Sequence, residues 1–341
     1  MEKLNNAVAY NLFQYEMNRL SKITYKGYEK TLKEIGISYI AMCNHSSKLS
    51  HNGVLNMLTY GLYLASADAS NINVCPKSNM CRESCLVGSG YAKIDGLSHS
   101  TKVQDARILK TRLFFANRPL FMKLMCIEIN RAISKAKREN MQFSVRLNCT
   151  SDISPLAFQY NGKNILEMYP NVSFYDYTKV KNYWKIAEKY SNYYLTFSRD
   201  GSAENEKECL EWLAKGNNVA VVFGVSKSSE LPKKWKGYEV LVGDDYDYRV
   251  WDRLQKGKQI VGLIYKVSIT DFEEDENGKH HFKGIPKSPF IIDVNDGDCE
   301  FWTHNSLKEK VIINLKKKMS FAWSIQINVV YLQCKITSLT P

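Results

Sequence analysis

The chain has 341 residues, with 47 Lys and Arg against 35 Asp and Glu, a net charge of +12. Its 44% hydrophobic content is that of a globular protein with a real core, and its length fits one large domain or a domain with extensions. No run of eighteen apolar residues occurs and the first residues are charged, so neither a membrane-spanning helix nor a signal peptide is expected, and the membrane is excluded as a partner.

Residues 1–54 form a polar, Tyr-rich, partly helical extension. The apolar run Leu55–Leu64 reads as a strand, and a cysteine-bearing loop follows it. Helices are expected over Thr101–Asn117 and Pro119–Arg138. Phe143–Cys149 is a strand, followed by a helix around Leu156–Met168. Val172–Tyr177 is the next strand and Tyr183–Lys189 a short helix. Tyr193–Phe197, Val219–Phe223, Tyr238–Val242 and Ile260–Tyr265 are strands, with a helix over Glu204–Lys215 that stops before Gly216. Strands separated by helical stretches mean βα units and a parallel sheet. The expected fold is therefore α/β, a full or partial (β/α) barrel over residues 55–266, with a doubly wound open sheet as the alternative. Residues 267–341 form an acidic loop and a C-terminal extension, whose tail from Met319 to Leu332 is uncharged.

The loop after the first strand carries the most distinctive pattern, Cys75-Pro-Lys-Ser-Asn-Met-Cys81-Arg-Glu-Ser-Cys85. Three thiols so close together suit a soft metal. They fit a [4Fe–4S] cluster with one iron left open, or a zinc ion completed by a fourth ligand such as His99. The plainer alternative is three idle thiols. The other six cysteines are scattered, which is poor material for disulfides and points to a reducing cytoplasm.

Barrel logic directs attention to the residues after each strand, since loops there build active sites. They are Thr150, Ser151 and Asp152; Thr178 and Lys179; Ser198, Arg199 and Asp200; and Asp244, Asp245, Asp247 and Arg249. Asp152 and Asp200 are also well placed as helix caps. The Asp244, Asp245 and Asp247 carboxylates suit Mg²⁺, or simply a turn. Lys179, Asp244, Asp247 and Arg249 are candidate catalytic groups. His280 and His281 lack a second pair at metal spacing and read as loop residues. Residues 100–140 carry ten Lys or Arg against three acids, a charge that could meet nucleic acid or simply coat an amphipathic helix.

The cysteine loop, Thr150-Ser151-Asp152 and Ser198-Arg199-Asp200-Gly201 together resemble radical S-adenosylmethionine enzymes. The resemblance implies that Cys75, Cys81 and Cys85 hold a [4Fe–4S] cluster. It also implies that Thr150, Ser151, Asp152, Ser198 and Asp200 contact S-adenosylmethionine. The spacing here, C-x5-C-x3-C, departs from the C-x3-C-x2-C of that superfamily, Ser84 replaces its aromatic residue, and the glycines of its second motif are absent. A closer resemblance is to the gene-product-eighty-eight family of phage and plasmid proteins. It rests on Cys75-Pro76, Cys81-Arg82-Glu83-Ser84-Cys85, Arg146-Leu-Asn-Cys-Thr-Ser-Asp152, Tyr175-Asp-Tyr-Thr-Lys179 and Asp244-Asp-Tyr-Asp-Tyr-Arg-Val-Trp-Asp252. Leu86 stands where members often have Tyr. The family implies a phage or mobile-element origin, and so the cytoplasm of an infected host cell. The expectation is thus an iron–sulfur protein, with a radical enzyme of unknown substrate as its fullest form. A zinc-stapled, non-catalytic nucleic-acid-binding or interaction protein is the alternative.

Overall fold

A computed structural model describes residues 27–44, 46–78, 80–82, 85, 102–252, 259–267, 271–277 and 279–301. His99, Ser84, Leu86 and the uncharged tail lie outside the described residues.

The strands in chain order are β1 (Met42–Cys43), β2 (Met57–Gly61), β3 (Gln142–Arg146), β4 (Gln159–Tyr160), β5 (Lys163–Asn164), β6 (Ser173–Thr178), β7 (Tyr193–Ser198) and β8 (Val219–Phe223). They continue as β9 (Lys234–Trp235), β10 (Tyr238–Val242), β11 (Ile260–Ile264), β12 (Phe272–Glu274), β13 (His280–Phe282), β14 (Ile291–Ile292) and β15 (Cys299–Glu300). The helices are α1 (Tyr28–Ile35), α2 (Ser47–Ser50), α3 (Lys102–Ala116), α4 (Arg118–Arg138), α5 (Ile165–Met168), α6 (Trp184–Lys189) and α7 (Ala203–Ala214).

One mixed sheet of eleven strands dominates, in the order β1-β2-β3-β6-β7-β8-β11-β10-β9-β15, with β14 added beside β8. The seven strands from β2 to β10 pair parallel. The short outer strands β1, β9 and β15 pair antiparallel. From β2 to β8 each strand lies beside the next long one in the chain, with helices in the crossovers, as the alternating pattern requires.

The sheet does not close: among the described residues no pairing joins its two ends. It is nevertheless wrapped. β2 and β10 are six strand steps apart, about 29 Å if flat. Yet the His51 ring, in the turn leading into β2, hydrogen-bonds the Asp244 carbonyl just after β10 at 3.0 Å. The α/β expectation holds as one large, mostly parallel sheet with helices, and no closed barrel forms among the described residues.

Helices cover one face. Strand alternation sends Phe174 of β6 and Leu195 and Phe197 of β7 into the same core as Phe114 of α3, Phe121 and Met125 of α4 and Trp212 of α7. The stacked Phe197 and Trp212 rings, 4.9 Å apart, mark the α7 contact. Tyr175, in contrast, turns to the inner face and packs with Met57, Tyr248 and Val250, with Tyr177 and Tyr194 beside them.

The expected helix over Leu156–Met168 is not there. A 3-10 turn (Pro155–Ala157) leads into the β4–β5 hairpin, and only Ile165–Met168 is helical. The sequence Asn161-Gly162 breaks the helix, because both residues take positive φ at the hairpin tip. Asn164 then caps α5 in a reciprocal box with Glu167.

Candidate functional site

The cysteine loop lies against the carboxyl ends of β2, β3 and β6, and short hydrogen bonds hold it there. The Thr150 hydroxyl donates to the Leu64 carbonyl at 2.6 Å, and the Asp152 N–H donates to the Val74 carbonyl at 2.8 Å. The Asp152 carboxylate in turn accepts the Lys179 N–H at 2.8 Å. Ser151 donates to the Asn148 side chain at 2.8 Å. Thr150-Ser151-Asp152 therefore ties the loop to β3 and β6. Asp152 is not a helix cap.

Cys75 is half-buried. Its sulfur accepts the Ala67 N–H at 3.4 Å and lies 3.8 Å from the Thr150 carbonyl. Cys81 sits on a 3-10 turn (Met80–Arg82) that the Arg82–Asp68 ion pair ties back. Burial pushes the Cys75 thiol up to about 11, with repulsion from Asp152 and Cys85 adding to it, while Lys179 opposes the shift. Burial raises Cys81 too; Lys179 counters it by charge and a side-chain hydrogen bond, and Asp200 and Cys85 repel its thiolate. Cys85 and Lys179 thus act on both Cys75 and Cys81, while Asp152 acts on Cys75 and Asp200 on Cys81. Among the described residues, however, no three His, Cys, Asp or Glu side chains are drawn together tightly enough to grip an ion.

Burial also raises the Asp152 carboxyl, against the pull of the Lys179 N–H. Asp200 is buried; it accepts the Ser202 N–H at 2.8 Å, while Ser202, not Asp200, caps α7. Ser198 ends β7, its carbonyl accepting Asn205 Nδ2 at 3.2 Å. Arg199 turns away to Glu206 and the Pro289 carbonyl.

The remaining candidates form a different cluster. Asp244 is neutralised by Lys266 at 3.1 Å and accepts the Ile264 N–H at 3.3 Å. Asp247 is fully buried on the inner face. It receives Arg146 Nη1 at 2.7 and 2.9 Å, the Tyr175 hydroxyl at 2.8 Å and Lys48 Nζ at 3.3 Å. Burial alone would raise this carboxyl, but Arg146 and Lys48 hold it below the usual range. Arg249 pairs with Asp252 at 3.0 Å and lies over the Tyr246 ring at 4.1 Å. Asp247 and Arg249 therefore stand apart from the thiols, and of the Asp244, Asp245 and Asp247 set expected to suit Mg²⁺, Asp244 is paired with Lys266 and Asp247 with Arg146 and Lys48.

Reading the strand ends alone missed Lys48, Asn52, Arg146, Tyr175 and Tyr177. Asn52 is fully buried and accepts the Asp247 and Tyr248 N–H groups at 2.7 and 2.8 Å. One signal was available: Arg146 is a charge inside an otherwise strand-like run.

The basic stretch does not make one surface. Lys110 is buried over the Tyr39 ring and Arg107 stacks on Tyr63, while Arg118 and Arg131 lie over Phe114 and Tyr28. Lys135, Lys137 and Arg138, at the end of α4, are exposed. His281 pairs with Asp275 at 2.7 Å within the small β12–β13 hairpin, and no group of three metal-ligand side chains forms there among the described residues. No helix among the described residues is long and apolar enough to cross a membrane.

The elements just described coincide with a family match to gene product 88 over residues 24–271. The chain belongs to the gene product 88 family. The match spans α1 through the end of β11 and takes in the cysteine loop and the inner-face cluster alike. No curated protein matches, and no solved structure does. The family match does not extend to the radical S-adenosylmethionine enzymes.

Proposed function

We propose that this gene product 88 protein binds a [4Fe–4S] cluster through Cys75, Cys81 and Cys85 at the carboxyl edge of the sheet. The observation that carries the reading is the spacing of three thiols in one loop that Thr150 and Asp152 tie to the strand ends, with Lys179 near enough to act on Cys75 and Cys81. The donor set suits the group: three soft thiols, half-buried, beside a cation that favours their ionised form. A bound cluster would supply one-electron chemistry and one iron without a protein ligand, open to a cofactor such as S-adenosylmethionine or to a substrate.

The protein's own part is to hold and tune. Thr150 and Asp152 fix the loop against the strand ends. Lys179 offsets the negative charge that three thiolates bring together. Asp152 and Asp200 present carboxylates beside the thiols, suited to a cationic ligand such as an amine. Since burial raises Cys75 and Cys81, loading must displace protons and is expected to weaken below neutral pH.

Anaerobically purified protein is expected to be brown, with about four irons and four sulfides per chain. The variant with Cys75→Ala, Cys81→Ala and Cys85→Ala should be colourless yet folded. Stoichiometric zinc with no iron would replace the cluster by a structural zinc ion. For the radical form, dithionite-reduced protein should cleave S-adenosylmethionine to 5′-deoxyadenosine; an intact cluster with neither cleavage nor binding removes that chemistry.

A further inference from the structure

The inner face of the sheet carries a charge imbalance that the cysteine site does not use. Among the described residues, Lys48, Arg146 and Arg249 form ion pairs with two carboxylates, Asp247 and Asp252; Asp244 also acts on Lys48 but pairs with Lys266. Asp176 also acts on Arg146, but it lies toward the other face, held by Asn148 and Tyr193. Arg146 and Lys48 lie over the same Tyr177 ring, at 4.6 and 5.0 Å. Arg249 is only 3% exposed.

The donors are not used up. The Nε–H groups of both Arg146 and Arg249 are buried without a hydrogen-bond partner. The Arg249–Asp252 pair is close, but Nη1 and Oδ2 are not aligned to bond. Such groups are normally satisfied, and a buried surplus charge is normally compensated. Arg249 also lines a small cavity of about 10 Å³ with Tyr175, Tyr194, Thr196 and Asn218. That is room for one water-sized group. The positive charge of the surrounding cations favours a small anion over a neutral water there.

We propose that this cavity is a binding site for a single small monovalent anion, of which chloride is the reference, held by the Arg249 guanidinium with Arg146 and Lys48 supplying the field. The site stands apart from the thiols and does not depend on what they bind. A doubly charged tetrahedral anion is too large for it.

The test is a thermal melt in sodium gluconate with chloride, bromide, sulfate or phosphate substituted at constant ionic strength. An anion that binds only the folded chain raises the melting temperature with its concentration. Chloride and bromide should do so saturably, and sulfate and phosphate should not. Arg249→Gln should weaken the chloride response at least tenfold. Should that variant fail to fold, Lys48→Met, at the rim of the cluster, should weaken it by a smaller factor. Asp252→Asn, which removes the competing carboxylate, should strengthen it. A bromide-soaked crystal should show an anomalous peak beside Arg249. Equal responses to all four anions, or a chloride response that Lys48→Met and Asp252→Asn leave unchanged, would overturn the proposal.

Discussion

Asp247 shows how one buried carboxylate organises an entire face. Two cations, a phenol and two backbone N–H groups bound by Asn52 converge on residues 247 and 248. Removing one partner of a buried pair leaves a charge with no compensation, at about 3–5 kcal/mol. Asp247→Asn is therefore expected to cost that much in a urea melt. The double variant Arg146→Met with Asp247→Leu should cost less than Asp247→Asn alone, since it removes both charges; equal or greater loss would contradict the pairing argument. Asp176 gives the pH counterpart. Burial pushes it up to about 7, against about 3.9 in an unfolded chain. The folded chain then keeps a proton that the unfolded chain has lost. Its contribution to stability is full below about pH 4 and is lost as pH rises through 7, by at most about 4 kcal/mol. Asp176→Asn should gain on the wild type steadily between pH 4 and 7.5 in urea melts, and parallel stability curves would remove the carboxyl from the account.

Elements are joined at two places where a few atoms decide the outcome. On α4, the Glu128 carboxylate accepts the Tyr28 and Tyr60 hydroxyls at 2.5 Å and the Ile40 and Ala41 N–H groups at 2.7 and 2.9 Å. It pins α1 and the approach to β1 onto α4 and β2. Glu128→Ala leaves four buried donors without an acceptor, expected to cost about 3 kcal/mol and to raise hydrogen exchange at Ile40 and Ala41 first. The second place is Gly201, where the chain leaves β7 with φ +91° and a Cβ would lie 2.2 Å from the Pro289 carbonyl oxygen. Here the strand leading to β14 pushes in beside β8, whose second half pairs with β14 instead of β7. Gly201→Ala combines a left-handed conformation with a backbone clash and should cost about 2 kcal/mol or more in a denaturant melt. A neutral substitution would mean that β14 is not fixed where it is described.

At the scale of the molecule, the stretch 244–252 follows a late strand yet completes an inner face begun by residues 48–59. Asn52 and Lys48 meet Asp247 across nearly two hundred residues of sequence. Tyr28, Leu32, Ile35 and Ile40 also belong to the main core. Deleting residues 1–54 is therefore expected to leave an insoluble or molten chain, seen as loss of near-ultraviolet circular dichroism. A cooperative melt of that fragment would show that the inner face assembles without residues 1–54.

The sequence by itself determined the parallel βα succession. Each long strand from β2 to β11 falls within a few residues of its apolar run, because buried parallel strands are rich in apolar residues. It also determined that three thiols would share one loop, and the family to which the chain belongs. It could not place the hairpin at Asn161-Gly162, where two turn residues override a helix-like pattern. Nor could it separate the strand-end groups. Asp152, Asp200 and Asp247 are the same residue type in similar loops, yet the first two approach the thiols and the third faces Arg146 and Lys48. That division rests on how far the open sheet wraps and on which face each loop then crosses. Both follow from the packing of the whole sheet, which no local pattern encodes.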